Sequence, residues 1–414
     1  MVLNKDLQVK LARFKRDKRA YTSFLFLLVA FLLTLPAELI CNIRPILLMV
    51  DGKPYLPILI QYSERDFGGT LPSEPDYKSD SFINLLGGET NENVPRAQTD
   101  KKLPFTLEMK DFEEEQPSFT VGVDDFDDSK EPAKSLEKPT QTTRIKKDFF
   151  MLWPLIRYDY KYIPTQSKTD NIVLAAPYET IDKGKTIKSS LIDGHYLGTD
   201  DRGRDVLARL IYGLRISMIF GISLALTGTL IGCLLGGIQG YFGGWIDLIG
   251  QRLTEIWGSI PRLYILIILS SFLIPSALIL FLILNLTAWM GIAAYIRAEF
   301  LKTRNLEYVK AARAMGVSNF EIMRRHILPN SLTPVITFFP FEVTSGILAL
   351  VSLDYLNLGV PSPAPSMGEL LSQGKSNLQA IWIILPTFAV LTTTLTLLTF
   401  VGEGIRNAFD PRKS

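Results

Sequence analysis

Two glycine–lysine pairs, each followed by a hydroxyl residue, stand at Gly184-Lys185-Thr186 and Gly374-Lys375-Ser376. Such a trio wraps phosphates when another glycine lies five residues upstream, because that glycine lets the backbone curl around the anion. Upstream of these pairs stand Glu179 and Glu369, with Gly368 one residue out of register. Neither is a phosphate loop. The chain has two histidines, His195 and His326, and neither belongs to a Glu-x-x-His pattern. Its two cysteines, Cys41 and Cys233, lie in apolar surroundings with no metal-ligand spacing. No serine sits in a G-x-S-x-G turn. The acidic run "DDFDDSK" lacks the turn glycine of a calcium loop. These residues predict no covalent chemistry, no cofactor and no metal.

The remaining signals are mechanical. Gly228, Gly232, Gly236 and Gly240 recur every four residues. They predict a helix face without side chains, on which another backbone can close in. Glu342 lies in the apolar stretch "TPVITFFPFEVTSGILAL". An ionisable group inside such a stretch faces a bundle interior or water, so it either lines a path or pairs with a cation such as Arg262. The third signal is an alanine-rich basic stretch, "EYVKAARAMGVSNFEIMRRHILPN", from Glu307 to Asn330. From Arg297 to about Met315 its residues favour helix. Gly316 then breaks the run, Ser318 offers a fresh N-cap, and Pro329 ends the second piece. Ala311, Ala312 and Ala314 make the turn slim enough for a groove, and Tyr308 and Met315 are anchors of the kind partner pockets accept.

The elements that position these residues are apolar blocks. Of the 414 residues, 47 % are hydrophobic, and they concentrate near 22–43, 216–239, 256–274, 277–296, 333–351 and 380–401. About 20 apolar residues in a helix cross a bilayer core of roughly 30 Å, so each block reads as a span. The net charge of +2 excludes no partner, but its distribution orients the chain. Lys5, Lys10, Arg13, Lys15, Arg16, Lys18 and Arg19 precede the first block. Arg297, Lys302, Arg304, Lys310, Arg313, Arg324 and Arg325 mark the elbow, and Arg406, Arg412 and Lys413 the tail. Basic loops stay in the cytoplasm, which places both termini and the elbow inside. The basic N-terminus is then a topology signal, with no nucleic acid involved. The first block lacks a small-x-small cleavage site and reads as a retained span.

Residues 45–195 fall outside the membrane on this topology. Their middle, about 107–138, is acidic and poor in aliphatics, so it cannot offset its chain entropy by burial. Its flanks, "KPYLPILIQY" and "MLWPLIRYDYKYIP", suit strands and predict a small external subdomain built from both. Next comes "LGTDDRGRDVLARLIYGLR", 197–215, where Leu207, Leu210, Ile211 and Leu214 alternate with Arg204, Asp205 and Arg209. This pattern predicts an amphipathic helix on the external membrane face.

The pattern A-A-x-x-x-G followed by "HILPN" resembles the EAA motif of ABC-importer permeases. "GTDDRGRDVLARLIYGLRIS", "QGYFGGWID", "RHILPN" and "AFDPRK" resemble the oligopeptide/dipeptide branch. "GQRLTEIWGSIPRLYILIILSSF" and "SLDYLNLGVPSPAPSMGELLSQGKSNLQAIW" point within it to the Yej-type subgroup, which imports oligopeptides and microcin C in Gram-negative bacteria. The likeness covers about 196–414 strongly and the flanks of the external segment weakly. It implies an all-α polytopic membrane protein, with the six helices of a type I ABC-importer transmembrane domain and an external insertion between the first two. The first span with its basic leader occupies 1–44, the periplasmic insertion 45–195 and the permease core 196–414. The elbow, 297–330, becomes a coupling helix docked on an ATPase. Glu307, Tyr308, Lys310, Ala311, Ala312, Arg313, Met315, Gly316, Arg325 and Pro329 are its candidate contacts. The motif's leading Glu is Lys310 here, and Glu307 lies one turn earlier. The implied partners are a second permease subunit, ABC ATPase subunits, a periplasmic peptide-binding protein and membrane lipid. An anchored receptor or sensor would show one or two spans and a cytoplasmic signalling domain. An ion-coupled carrier would show inverted repeats.

Overall fold

The computed structural model describes residues 2–87, 148–164, 171–182, 185–273 and 276–409. The acidic middle at 107–138 and the side chain of Arg262 lie outside the described residues. Two compact units emerge, Leu47–Met151 and the remainder of the chain.

The smaller unit holds strands β1 (Leu47–Val50) and β2 (Lys53–Tyr55) and most of β3 (Phe149–Leu152), in the order β2-β1-β3. The β1–β2 turn is Asp51-Gly52, both at positive φ (49° and 76°). Such a pair matches the twist of a tight hairpin, and it fixes the register Leu48↔Tyr55 and Val50↔Lys53. Pro54 cannot donate to a ladder, and it sits on the edge strand. Tyr55, Phe67, Tyr77 and Phe82 meet edge-on or tilted, with ring centroids 5.0–6.5 Å apart. With Leu48 and Leu86 of helix α4 (Asp80–Gly87, numbered after α1–α3 below), the buried members of this group form the unit's core.

The larger unit is helical. It begins with α1 (Val2–Arg16), α2 (Lys18–Thr34) and α3 (Ala37–Ile40). After the strand pair β4 (Thr180–Asp182) and β5 (Lys185–Ile187) come α5 (Val206–Phe242), α6 (Gly244–Gly258), α7 (Arg262–Phe272), α8 (Ala277–Ala288) and α9 (Met290–Thr303). Then follow α10 (Glu307–Ala314), α11 (Asn319–Glu321), α12 (Leu328–Tyr355), α13 (Met367–Ser376) and α14 (Ile381–Phe409). Helix α5 packs against α9 and α12, and α14 packs against α2 and α12. Among the described residues, four helical stretches are long and apolar enough to cross a membrane: Val206–Phe242, Ala277–Thr303, Asn319–Tyr355 and Ile381–Phe409.

Several expectations change. The flanks of the external segment separate. "KPYLPILIQY" stays in the smaller unit, whereas Leu152 onward joins the helical one. There Ile156 and Tyr158 pack with Ala37, Cys41, Ala208 and Tyr212. The reason is that aromatic residues at 158–162 find a larger apolar surface on α5 than a short sheet offers. The amphipathic helix expected at 197–215 does not exist as a separate element. Residues 197–205 are loop, Asp205 caps α5 by accepting from Ala208 N at 2.7 Å, and the helix runs unbroken to Phe242. The block 256–274 is not one helix, because Pro261 restarts the chain as N-cap of α7 and splits it from α6. Helix α2 has 17 residues, so the first block is a shorter helix than its apolar run.

Candidate functional site

The elbow begins where α9 ends. Arg304 there donates to the carbonyls of Gly240 and Tyr241 at 3.3 and 3.2 Å, and so ties the exit of α9 to the end of α5. The glycine ladder sets how near those helices lie. A Cβ on Gly232 would stand 2.8 Å from Trp289 O, and one on Gly240 would stand 2.5 Å from Arg297 O. On Gly236 it would collide with Ala293 O, and on Gly228 it would press on Ala288. The four glycines therefore face α8 and α9, and their missing side chains let α9 deliver the elbow at a fixed place.

Residues 304–306 interrupt the helix expected to run from 297 to 315, and α10 starts afresh at Glu307. One face of α10 is internal. Val309 and Ala312 (2 % exposed) pack with Phe300, Ile322 and Ile327. Ala311 and Ala314 face outward, as do Tyr308 and Arg313. The alanines thus divide into two roles, and Ala312 is slim so that α10 can lie on its own protein. This corrects its assignment to an outward contact. The guanidinium of Arg313 covers the Tyr241 ring at 5.4 Å, and Tyr241 OH donates to Asn319 Oδ1 at 2.7 Å.

Gly316 adopts φ 81°, with open space where a Cβ would be. Ser318 then caps α11 by accepting from Glu321 N at 3.3 Å. Met315 (76 % exposed) and Phe320 (67 % exposed) flank this turn. Lys310, standing where the motif has Glu, pairs with Glu307 at 3.1 Å. That pair is exposed and holds little energy.

Pro329 does not end the second piece. Residues 322–327 form a π turn, and the helix continues through Leu328 and Pro329 to Tyr355. Proline lacks an amide hydrogen, and its ring crowds the carbonyl four residues back. A π turn opens the ladder at that spot, so the chain enters its span without a break. Three consecutive basic residues, Arg324, Arg325 and His326, lie in this turn. With Tyr308, Pro329 and Asn330 they line an open hollow of about 610 Å³. Glu342 sits half-buried midway along α12.

A second cluster escaped the sequence reading. Arg204 (2 % exposed) and Arg209 (0 % exposed), expected on a polar helix face, are among the most buried large side chains. Arg204 Nε donates to Asp200 Oδ2 at 2.8 Å and its Nη2 to Glu369 Oε1 at 3.1 Å. Arg209 donates to Glu369 Oε2 and to the carbonyls of Tyr160 and Ala364. Nearby, His195 Nδ1 meets Asp205 Oδ2 at 2.8 Å, and the His195 ring stacks on Tyr158 at 3.9 Å. Ser366 caps α13 and donates to Asp354 at the end of α12. This network joins α5, α12 and α13 at one end of the helical unit. The run of charges at 200–209 hints at it, but nothing local distinguishes a buried guanidinium from a solvated one.

Outside the spans, Arg215 holds the Glu38 carboxyl below the usual range through a bidentate pair, both contacts at 2.9 Å. Burial pushes the Cys41 thiol up to about 12. Cys41 is therefore a protonated packing residue and no nucleophile.

Residues 228–414 match the family described as binding-protein-dependent transport system inner membrane component. The peptidoglycan transport system permease protein YejE of Agrobacterium fabrum is 39 % identical over 411 residues, covering 97 % of this chain and 92 % of the relative. The inner membrane ABC transporter permease protein YejE of Escherichia coli K12 is 37 % identical, covering 98 % and 97 %. The oligopeptide permease OppC of the same organism is 37 % identical over 220 residues, covering 53 % of this chain and 73 % of the relative. With four helical stretches among the described residues long and apolar enough to cross a membrane, and alike to these relatives over nearly its whole length, the chain belongs to the inner-membrane permease components of binding-protein-dependent ABC importers, in which ATP is hydrolysed on a separate subunit.

Proposed function

We propose that this chain is one of two permease subunits of a bacterial peptide importer, and that its elbow is the part the ATPase grips. The observation that carries the reading is the elbow's placement. Between the long apolar stretches Ala277–Thr303 and Asn319–Tyr355, and into the start of the second, the chain builds a small capped structure with Met315 and Phe320 exposed and a packed inner face. Exposed large apolar residues beside arginines are the composition of a protein interface. The relatives named for peptidoglycan and oligopeptide transport support a peptide as cargo.

In this reading a periplasmic binding protein delivers peptide to a path between this subunit and the second permease, and Glu342 lines that path. ATP-driven closure of two ATPase domains moves the elbows and switches access from one side to the other. The Lys/Arg excess at both ends and at the elbow supports cytoplasmic termini. Helix α2 and the block 256–274 supply the remaining two of six spans, and 45–195 lies in the periplasm. The glycine ladder keeps α5 and α9 moving as one body.

The test separates neighbouring alanines. Ala311→Asp places a charge on the outward face, and Gly316→Val puts a Cβ at positive φ, costing roughly 1–2 kcal/mol of strain. Both are expected to insert and pair with the second permease, yet to lose co-purifying ATPase or to uncouple ATP hydrolysis from peptide uptake in vesicles. Ala312→Asp instead buries an unpaired charge in the chain's own core and lowers thermal stability without any ATPase present. Wild-type ATPase retention and uptake in both Ala311→Asp and Gly316→Val would reduce the elbow to a linker.

A further inference from the structure

We propose that the bend between α1 and α2 holds the headgroup of an anionic phospholipid of the cytoplasmic leaflet, with its acyl chains along the outer face of α2. The proposal rests on the cytoplasmic N-terminus and the α2 span read above. Between Gln8 and Arg19 stand six basic residues and a single acid, Asp17. Asp17 is committed to the chain itself, because its Oδ1 accepts from Ala20 N at 3.3 Å and caps α2. Lys15 and Arg16 before the bend, and Lys18 and Arg19 after it, are all exposed, and none has an ion-pair partner among the described residues. The bend itself is packed. Asp17 is extended (ψ 94°), and the Phe14 ring meets Tyr21 and Phe24 edge-on, with centroids 6.5 and 6.1 Å apart. Lys10 lies over the Phe409 ring at 4.9 Å, and a Cβ on Gly404 would collide with Ala20, so α1 and α2 both rest on α14.

Two of these cations stand where a helix by itself disfavours them. Lys18 and Arg19 open the first turn of α2, which holds no acid. The positive end of the helix dipole opposes them there, so local helix energetics does not account for them. Above them the outward face continues at helical spacing through Thr22 to Leu25 and Phe26, then Val29, then Leu32 and Leu33, all exposed. The opposite face, with Ala20, Ser23, Leu27 and Thr34, is buried where α2 packs on α14. At 1.5 Å per residue, Lys18 to Val29 covers about 16 Å, close to one leaflet of a core roughly 30 Å thick. One helix face thus carries cations at its base and a leaflet's depth of apolar side chains above them, which matches the profile of a phospholipid. Charge complementarity selects an anionic one, since basic residues beside a span attract an anionic leaflet surface. The guanidiniums of Arg16 and Arg19 can give a phosphate paired, charge-assisted hydrogen bonds. A soluble anion would leave the apolar part of the face uncovered. A headgroup bound here bridges α1 and α2 across the bend and holds α1 on the end of α14.

The experiment uses the full chain in the assembled importer, in nanodiscs of phosphatidylcholine with or without phosphatidylglycerol. Lipid retained after release into detergent is read by native mass spectrometry. Wild type is expected to keep phosphatidylglycerol in preference to phosphatidylcholine. Lys18→Gln/Arg19→Gln is expected to bind phosphatidylglycerol about thirtyfold more weakly, at about fivefold for each basic residue near an anionic surface. Lys18→Arg/Arg19→Lys, which keeps both charges, is expected to bind as wild type does. The Gln variant still has five basic residues ahead of the span, so its orientation is kept. Val9→Cys, labelled from one side at a time against the parent chain, checks that orientation. Cytoplasmic labelling together with undiminished phosphatidylglycerol in the Gln variant overturns the proposal and leaves the topology reading standing. Periplasmic labelling overturns both. Glycerol phosphate, a headgroup without chains, is the competitor. If it displaces the lipid at equal concentration, the cluster is a free-anion site and the proposal fails. If the lone chain keeps phosphatidylglycerol and the assembled importer does not, the outer face of α2 belongs to the second permease, and the proposal again fails.

Discussion

Arg209 on α5 donates to Glu369 on α13, and Arg204 donates to the other oxygen of the same carboxylate at 3.1 Å. Glu369 and the buried Asp200 thus share the neutralisation of two guanidiniums that are almost wholly enclosed. Taking one partner from a buried ion pair costs about 3–5 kcal/mol, because the remaining charge has no water to turn to. Glu369→Ala is therefore expected to lower the thermal unfolding midpoint in detergent sharply. Glu369→Gln, which keeps an acceptor but not the charge, should cost less. An unchanged midpoint in Glu369→Ala would mean that water reaches the cluster and that it does not tie α5 to α13.

The glycine ladder makes a second expectation quantitative. Gly236→Ala forces a methyl into Ala293 O, a backbone atom that moves only if the helix moves. Overpacking of this kind costs about 1–3 kcal/mol. Gly291, on α9, has nothing within 4 Å of where a Cβ would be. Gly291→Ala should then be neutral or stabilising by up to about 1 kcal/mol, since alanine is the better helix former. Equal melting temperatures for the two variants would show that α5 and α9 do not pack through the ladder.

Acid sensitivity follows from Asp247. The Arg297 guanidinium, with Nη2 2.8 Å from Asp247 Oδ2, holds this carboxyl below the usual range. A depressed folded-state value means that the pair's contribution is fully present above the unfolded value, about 3.9. It is lost as pH falls through the folded value. Stability measured from pH 6 downward should decline over that acid range. Asp247→Asn should be less stable at neutral pH and should have a shallower decline. Parallel pH curves for variant and wild type would remove Asp247 from the account.

How much was legible without coordinates depends on the range over which each property is decided. Apolar runs near 20 residues long announce helices in lipid, because no other open backbone satisfies its hydrogen bonds there. The spacing from Gly228 to Gly240 announces a bare helix face, and Ser318 and Gly316 announce a cap and a turn, since caps and positive φ are settled by two or three adjacent residues. The elbow's motif and the family likeness are likewise local strings.

Only the tertiary structure decided which way those strings face. Ala311 and Ala312 are identical in composition, yet one meets solvent and the other meets Phe300 and Ile322. Pro329 reads as a stop, and becomes the start of a span because the preceding π turn accommodates its ring. Arg204 and Arg209 read as a polar face. The nearby Asp200 pairs with both, and they are enclosed because Glu369, 165 and 160 residues further along, supplies a second opposite charge. Burial of a charge is a property of its partners, and partners so distant in the chain are chosen by packing, which no short window of residues contains.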